Sequence, residues 1–187
     1  MRLFVAIDVG PAIAEAASGL IDELRRRTER RAPRARVTWV APARLHVTVR
    51  FIGEADETRS QAIREALEPR LDVRPFDLTV EGIGVFPGWG APRVFWAGLT
   101  GGRDGLLEVE RAVSVRLDGL VPRDERGYNP HLTLARVRDG AGLAASLVEG
   151  LADAVLGRVH VEAITLYESR LSPKGPTYAS LQRTALI

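Results

Sequence analysis

Apolar residues recur along this chain with two periods. Where they alternate with polar ones, a strand with one buried face is expected; where they return every third or fourth position, a helix with one buried side is expected. "RLFVAIDV" (2–9) reads as a strand. A helix starts near Pro11, with proline in its first turn and Ile13, Ala17, Leu20, Ile21 and Leu24 on one side. A short strand around "RVTWV" (36–40) and the turn "APAR" lead into a strand over 44–52. Residues 57–71 read as a second helix, with Ile63, Ala66 and Leu67 inward and Pro69 near its end. Strands at 76–86 and 93–99 flank the turn-rich "PGWGAP" and pair as a hairpin with a longer loop. A third helix over about 103–118, a strand in "NPHLTLARV" (129–137) and a helix over about 141–152 follow, and strands in "RVHVEAITLYESRL" and "TYASLQRTAL" close the chain. Helices and strands mix without regular βαβ alternation, which favours an α+β fold over a doubly wound parallel sheet. A length of 187 residues suits one domain, built if need be from two lobes sharing a core.

Two of these strands carry unexpected side chains. In "RLHVTVRFIG" (44–53), Leu45, Val47, Val49 and Phe51 occupy one set of alternate positions, and His46 and Thr48 fall in the other. "NPHLTLARV" repeats the arrangement, with His131 and Thr133 flanked by Leu132 and Leu134. Positions i and i+2 share a strand face, so each histidine stands beside a threonine. With threonine at roughly one residue in twenty, the chance that two of three histidines show this is about 1%. The third, His160 in "RVHVEAI", lacks the threonine and reads as an exposed strand residue. Each part of the chain thus holds strands, a helix and one His-x-Thr strand, a pattern that suggests internal duplication.

Composition narrows the chemistry. The absence of cysteine removes disulfides, thiolate metal sites and thiol nucleophiles together. No apolar run approaches the roughly 20 residues that span a bilayer, and Asp8 interrupts the N-terminal apolar stretch, so a soluble cytoplasmic protein is expected. A net charge of +2 rules out bulk polybasic attraction to nucleic acid while leaving room for a local patch. Of 26 basic residues all but Lys174 are arginine, whose planar fork suits phosphate oxygens. Imidazole, with an unperturbed pKa of about 6.5, serves as acid or base near neutrality. One neutral histidine can take a proton from a nucleophile while a protonated one supplies the leaving oxygen, and threonine hydroxyls can donate to the non-bridging oxygens of a phosphoryl group. That is metal-free phosphodiester chemistry with no cofactor. Two histidines from distant strands, with no carboxylate at ligand spacing, make a poor metal site.

The two motifs and their surroundings resemble the two-histidine phosphoesterases, and among them the RNA 2′,3′-cyclic phosphodiesterases also called 2′-5′ RNA ligases. The resemblance runs through "RLFVAIDV", "VTWVAPARLHVTVRFIGE", "FDLTVEGIGVFP", "RVFWAGL", "NPHLTLARVR" and "ITLYESRLSPKGPTY". It implies a bilobal, pseudo-symmetric α+β fold in which two antiparallel sheets line a central cleft, with helices outside and one motif from each lobe. It also implies hydrolysis of a terminal RNA 2′,3′-cyclic phosphate to a 2′-phosphate, and joining of such an end to a 5′-hydroxyl RNA end without ATP. His46 then becomes the acid and His131 the base, with Thr48 and Thr133 as phosphate ligands.

Three side chains sit awkwardly with strict alternation. Arg136, a phosphate contact by resemblance, follows Thr133 by three positions and reaches the same face only through a bulge, the strand end or a curling side chain. Phe51, by resemblance a stacking surface for the terminal base, alternates with Val47 and Val49, away from His46. Arg50 shares the face of His46 by alternation and either meets the phosphate backbone or points to solvent. Trp39 and Trp89 read as packing or loop anchors. The residues leave open a relative acting on 2′-5′-linked oligonucleotides or a small cyclic phosphate, and a noncatalytic module that binds RNA ends. A cleft built from one chain makes a monomer the default.

Overall fold

The computed structural model describes residues 1–122, 127–170 and 175–187. Among them nine strands join in one curled sheet, with three α-helices. β1 (Arg2–Asp8) leads into α1 (Gly10–Arg31), β2 (Arg36–Trp39), β3 (His46–Glu54) and α2 (Glu57–Leu67). β4 (Phe76–Phe86), β5 (Val94–Gly101), α3 (Arg103–Arg116), β6 (Leu132–Asp139), β7 (Val155–Val161), β8 (Ala163–Arg170) and β9 (Thr177–Ala185) follow. The expected hairpin forms from β4 and β5.

The strand order is β7-β4-β5-β6-β3-β1-β8-β9, with β2 added on β6. The two expected sheets are the halves of this one sheet, joined in the middle at a single antiparallel pair, Val47 with Leu132. These are the central residues of the two His-x-Thr motifs, and both are fully buried. The order reads alike from either end: β6 and β3 at the centre, β5 and β1 next, then β4 and β8, and β7 and β9 at the rims. One face of the sheet is covered by helices. α1, which follows β1, lies against β7 of the other half, and α3, which follows β5, lies behind β3. Ile13, Ala17, Ile21 and Leu24 of α1 are buried there, with Leu106, Val109 and Val113 of α3. Each helix therefore ties its own half to the opposite one.

Several boundaries differ from the sequence reading for local reasons. α2 ends at Leu67, ahead of Pro69, because proline restricts the residue before it. The helix expected over 141–152 is one 3-10 turn, Ala145–Val148, in a glycine-punctuated stretch. The single apolar run after Arg158 is split at Glu162: β7 takes one edge of the sheet beside β4, and β8 joins β1 in the other half. Leu171, the end of that run as read from sequence, lies outside the described residues. His160 is exposed, with Nδ1 2.8 Å from the Asp77 carboxylate. Among the described residues no helix is long and apolar enough to cross a membrane.

The junction of the halves makes a stability prediction. Leu132→Ala leaves a cavity at the one pair that joins them and should lower unfolding free energy by about 2–5 kcal/mol. In urea this appears as a lower midpoint at unchanged m-value; a midpoint within error of wild type would remove the junction from the core.

Candidate active site

The open face of the sheet, opposite the helices, is set by β1. Leu3, Val5 and Ile7 are buried in the core, so Phe4, Ala6 and Asp8 point the other way. Across the β1–β3 ladder Asp8 pairs with His46, Ala6 with Thr48, Val5 with Arg50 and Phe4 with Phe51. Between Ala6 and Val5 the register shifts, and Val49 is the extra residue. This β-bulge reverses alternation beyond it. Phe51 therefore joins His46 and Thr48 on the open face, where it is 53% exposed, with its ring 6.4 Å from that of Phe4.

The same bulge corrects the expectation for Arg50. It turns into the core face and is 8% exposed, with a 2.6 Å hydrogen bond from Nη2 to the carbonyl of Pro122 and Nη1 3.9 Å from Glu110 of α3. It is a buried tether, not a phosphate contact.

β6 does the same thing at the same place. Trp96 of β5 pairs with Thr133, Phe95 with Ala135 and Val94 with Arg136, so Leu134 is the extra residue. Leu134 and Ala135 are both fully buried, and Arg136 emerges on the face of Thr133. The bulge that alternation demanded is present, one residue after each threonine. Phe51 and Arg136, each five residues beyond its histidine, are equivalent positions in the two halves. One step either way from the Val47–Leu132 pair sets His46 toward Thr133 and Thr48 toward His131. The site thus brings all six expected residues to one face.

Both imidazoles are held identically. Nδ1 of His46 lies 2.8 Å from the carbonyl of Arg44, and Nδ1 of His131 lies 2.9 Å from the carbonyl of Asn129, two residues back in each case. A carbonyl can only accept, so Nδ1 carries the hydrogen and Nε2 is left with its lone pair for chemistry. The turn that presents His46 is fastened by the Arg44 guanidinium, which donates to the carbonyl of Pro176.

The surroundings differ. Phe4 lies 5.0 Å from the His46 ring, Tyr178 meets it edge-on at 5.2 Å, and Tyr167 stacks on Phe4. Burial among them pushes the pKa of His46 below the ordinary histidine value; the Arg44 carbonyl and Asp8 pull the other way, and Arg136 adds to the lowering. That Arg136 is felt at His46 shows that the two halves share one electrostatic site. Asp8 is itself held by hydrogen bonds from Thr165 Oγ1 at 3.0 Å and Tyr167 Oη at 2.5 Å. Beside His131 the Phe86 ring stands edge-on at 5.4 Å, and a pocket of about 480 Å³ opens along Trp96, Thr100, Arg103 and Asn129. A larger hollow of about 750 Å³, near Asp56, Arg59 and Asp118, carries no residue of either motif. Among the described residues no three histidines or acids converge as a metal site would require.

A sequence model of the 2′-5′ RNA ligase superfamily matches residues 11–172. The chain belongs to that superfamily. As a superfamily member it is 34% identical over 182 residues to a protein of Archaeoglobus fulgidus named RNA 2′,3′-cyclic phosphodiesterase, covering 97% of this chain and 98% of the relative. A Thermotoga maritima protein of the same name is also 34% identical over 182 residues, covering 97% and 93%. A crystal structure from Thermus thermophilus superposes with a TM-score of 0.80 at 27% identity, covering 100% of this chain and 98% of that one.

Three residues of this superfamily member's site escaped the sequence reading. Asp8, Phe4 and Tyr178 surround His46 from neighbouring strands. Asp8 alone left a trace, as an acid in step with Phe4 and Ala6 at the end of an apolar strand.

The anchoring geometry is checked by ring-nitrogen NMR. Neutral His46 and His131 should both show the Nδ1–H tautomer, and His46 should titrate below the usual histidine range. Asp8→Asn removes a charge that raises this pKa, so it should lower it further; an unmoved or raised His46 titration would contradict the arrangement.

Proposed function

We propose that the chain hydrolyses the terminal 2′,3′-cyclic phosphate of RNA to a 2′-phosphate, as one catalytic domain of two lobes that each supply a His-x-Thr strand. The observation that carries this reading is the mirrored pair of imidazoles, each pinned through Nδ1 with Nε2 free, on one face with two threonines and an arginine. Binding alone needs cations and aromatic surfaces, not a pair of imidazoles with free Nε2 atoms.

In this reading Nε2 of His131 takes a proton from water as its oxygen attacks phosphorus. The P–O3′ bond breaks, and protonated His46 gives its proton to O3′, leaving phosphorus on O2′. Thr48 and Thr133 donate hydrogen bonds to the non-bridging oxygens, and Arg136 balances their growing charge. Phe51, exposed beside Phe4, stacks on the terminal base. A 5′-hydroxyl in place of water gives a 2′-5′ bond by the same steps, and the strained ring makes ATP unnecessary. No metal or cofactor takes part. Burial works against a proton on His46; Asp8 works for it, and so does the phosphate of a bound substrate. The enzyme works as a monomer, since one chain holds both histidines, and acts in the cytoplasm.

The first test incubates the protein with a short RNA ending in a 2′,3′-cyclic phosphate, in excess chelator and without ATP, and follows phosphorus by NMR. A 2′-phosphomonoester should appear, and His46→Ala or His131→Ala should each slow its formation by roughly 10²-fold or more. A 3′-phosphate product, or loss of all turnover in chelator, would sink the mechanism.

The pH dependence of kcat/KM should be bell-shaped, because one histidine must be protonated and the other neutral. Asp8→Asn lowers the His46 pKa and so depletes the form with His46 protonated. With His46 as acid, the maximum of the bell falls; a maximum that stays or rises would reassign His46 as the base.

A further inference from the structure

Beyond Arg136 the open face carries more positive charge than a terminal phosphate can use. β2 pairs with the outer half of β6, Thr38 with Arg136 and Val37 with Val137, so Thr38 and Arg136 share the open face while the valines turn inward. Continuing past the valines, Arg138 and Arg36 return to the open face; both are exposed, and the register irregularity beside Arg36 makes Arg138 the extra residue there. Like charges on adjacent strands repel, and Asp139, in register with Arg36, offsets only part of that charge. Asp139, the residue paired with Arg36, accepts the amide N–H of Ala141 at 3.1 Å. Among the described residues Arg36, Arg136 and Arg138 have no carboxylate partner, whereas Arg25, Arg26 and Arg27 of α1 are paired with Asp22 and Glu23.

A loop that carries an exposed aromatic adjoins the end of β6. A Cβ on Gly140 would meet the Ala91 side chain at 3.1 Å, so the β4–β5 loop lies against the end of β6. That loop carries Trp89, read from sequence as a packing or loop anchor; at 81% exposed it is not packed. From Thr133 outward the order is hydroxyl, guanidinium and a pair of guanidiniums, with the loop of the exposed indole against the end of β6. Alternate residues of a strand advance about 6–7 Å, close to the step between phosphates of an extended single strand. A basic groove that ends in an aromatic platform is how proteins hold single-stranded nucleic acid.

We propose that this row is a track for single-stranded RNA on the 5′ side of the cyclic phosphate, with Arg138 and Arg36 on backbone phosphates beyond the reacting one that Arg136 meets, and Trp89 under an upstream base. It rests on the activity proposed above and makes the enzyme one of RNA chain ends rather than of free cyclic mononucleotides.

The test measures kcat/KM on substrates of one to five nucleotides that share the same terminal cyclic-phosphate nucleotide. Wild type should gain roughly 10- to 100-fold from one nucleotide to four. The Arg36→Gln/Arg138→Gln double variant should lose most of that gain, leave the mononucleotide rate unchanged, and reduce the salt slope on the pentamer by about 1.4, at roughly 0.7 per phosphate contact. Trp89→Ala should lower the rate on the longest substrates only. A wild-type rate that is flat with length overturns the track, as does a double variant that slows mononucleotide and oligomer alike. Absence of hydrolysis at every length removes the activity instead, and fluorescence anisotropy of labelled oligomers ending in a 3′-phosphate then decides. Tighter binding of the longer oligomers that the double variant abolishes supports the track, and length-independent binding rejects it.

Discussion

The extra residue that follows each motif threonine, Val49 in β3 and Leu134 in β6, is the constraint on which the site depends. A regular strand would hold His46 and Thr48 on the open face but send Phe51 into the core and Arg50 out among the ligands. The bulge exchanges the two. It places a large aromatic surface beside one histidine and, by the same geometry, a guanidinium beside the other threonine. The exchange has a cost, because Arg50 must then be buried, and a buried charge is tolerable only with partners. The carbonyl of Pro122 and the carboxylate of Glu110 supply them, so the bulge also ties α3 to the back of β3. At the equivalent place in β6 stands Ala135, which fills the core without any such requirement.

Near-symmetry and difference are both needed. Each imidazole donates through Nδ1 to the carbonyl two residues before it, and a backbone acceptor inside the same short segment holds that tautomer regardless of what binds. An acid–base pair must also be unlike in protonation, and identical strands cannot make it so. The neighbours of the two are what differ. His46 lies among Phe4, Tyr167 and Tyr178 with Asp8 across the ladder, while His131 sits by Phe86 at the mouth of a pocket. Environment, not residue type, distinguishes the two imidazoles.

The scaffold keeps these neighbours in place through contacts that cross the middle of the sheet. The halves meet in one pair of buried residues, which would leave a weak hinge were it not for α1 and α3, each packed on the half it does not follow. Arg44 binds the segment before β9 to the turn that presents His46, so the strand that supplies Tyr178 is fixed to that histidine. The groups proposed to meet the phosphate stand on or at the end of strands, and rigid strands hold a site more accurately than loops do.

By itself the sequence determined the elements and the chemistry. The two-residue period marked β1, β3 and β6, the helical period marked the buried sides of α1 and α2, and His-x-Thr, found twice, named two imidazoles and two hydroxyls as neighbours. Alternation even required that something deviate near Phe51 and Arg136. The weak helical pattern over 141–152 misled, since glycines at 140, 142 and 150 leave only a 3-10 turn. Only the tertiary structure decided where the strands deviate, that Arg50 is buried, that Asp8, Phe4 and Tyr178 close around His46, and that one apolar run is divided between opposite halves of the sheet. The physical reason is range. Periodicity and motif spacing are set within a few residues of chain, whereas a bulge exists only in the register between a strand and its neighbour, and the environment of His46 is assembled from β1, β8 and β9, up to 132 residues away along the chain.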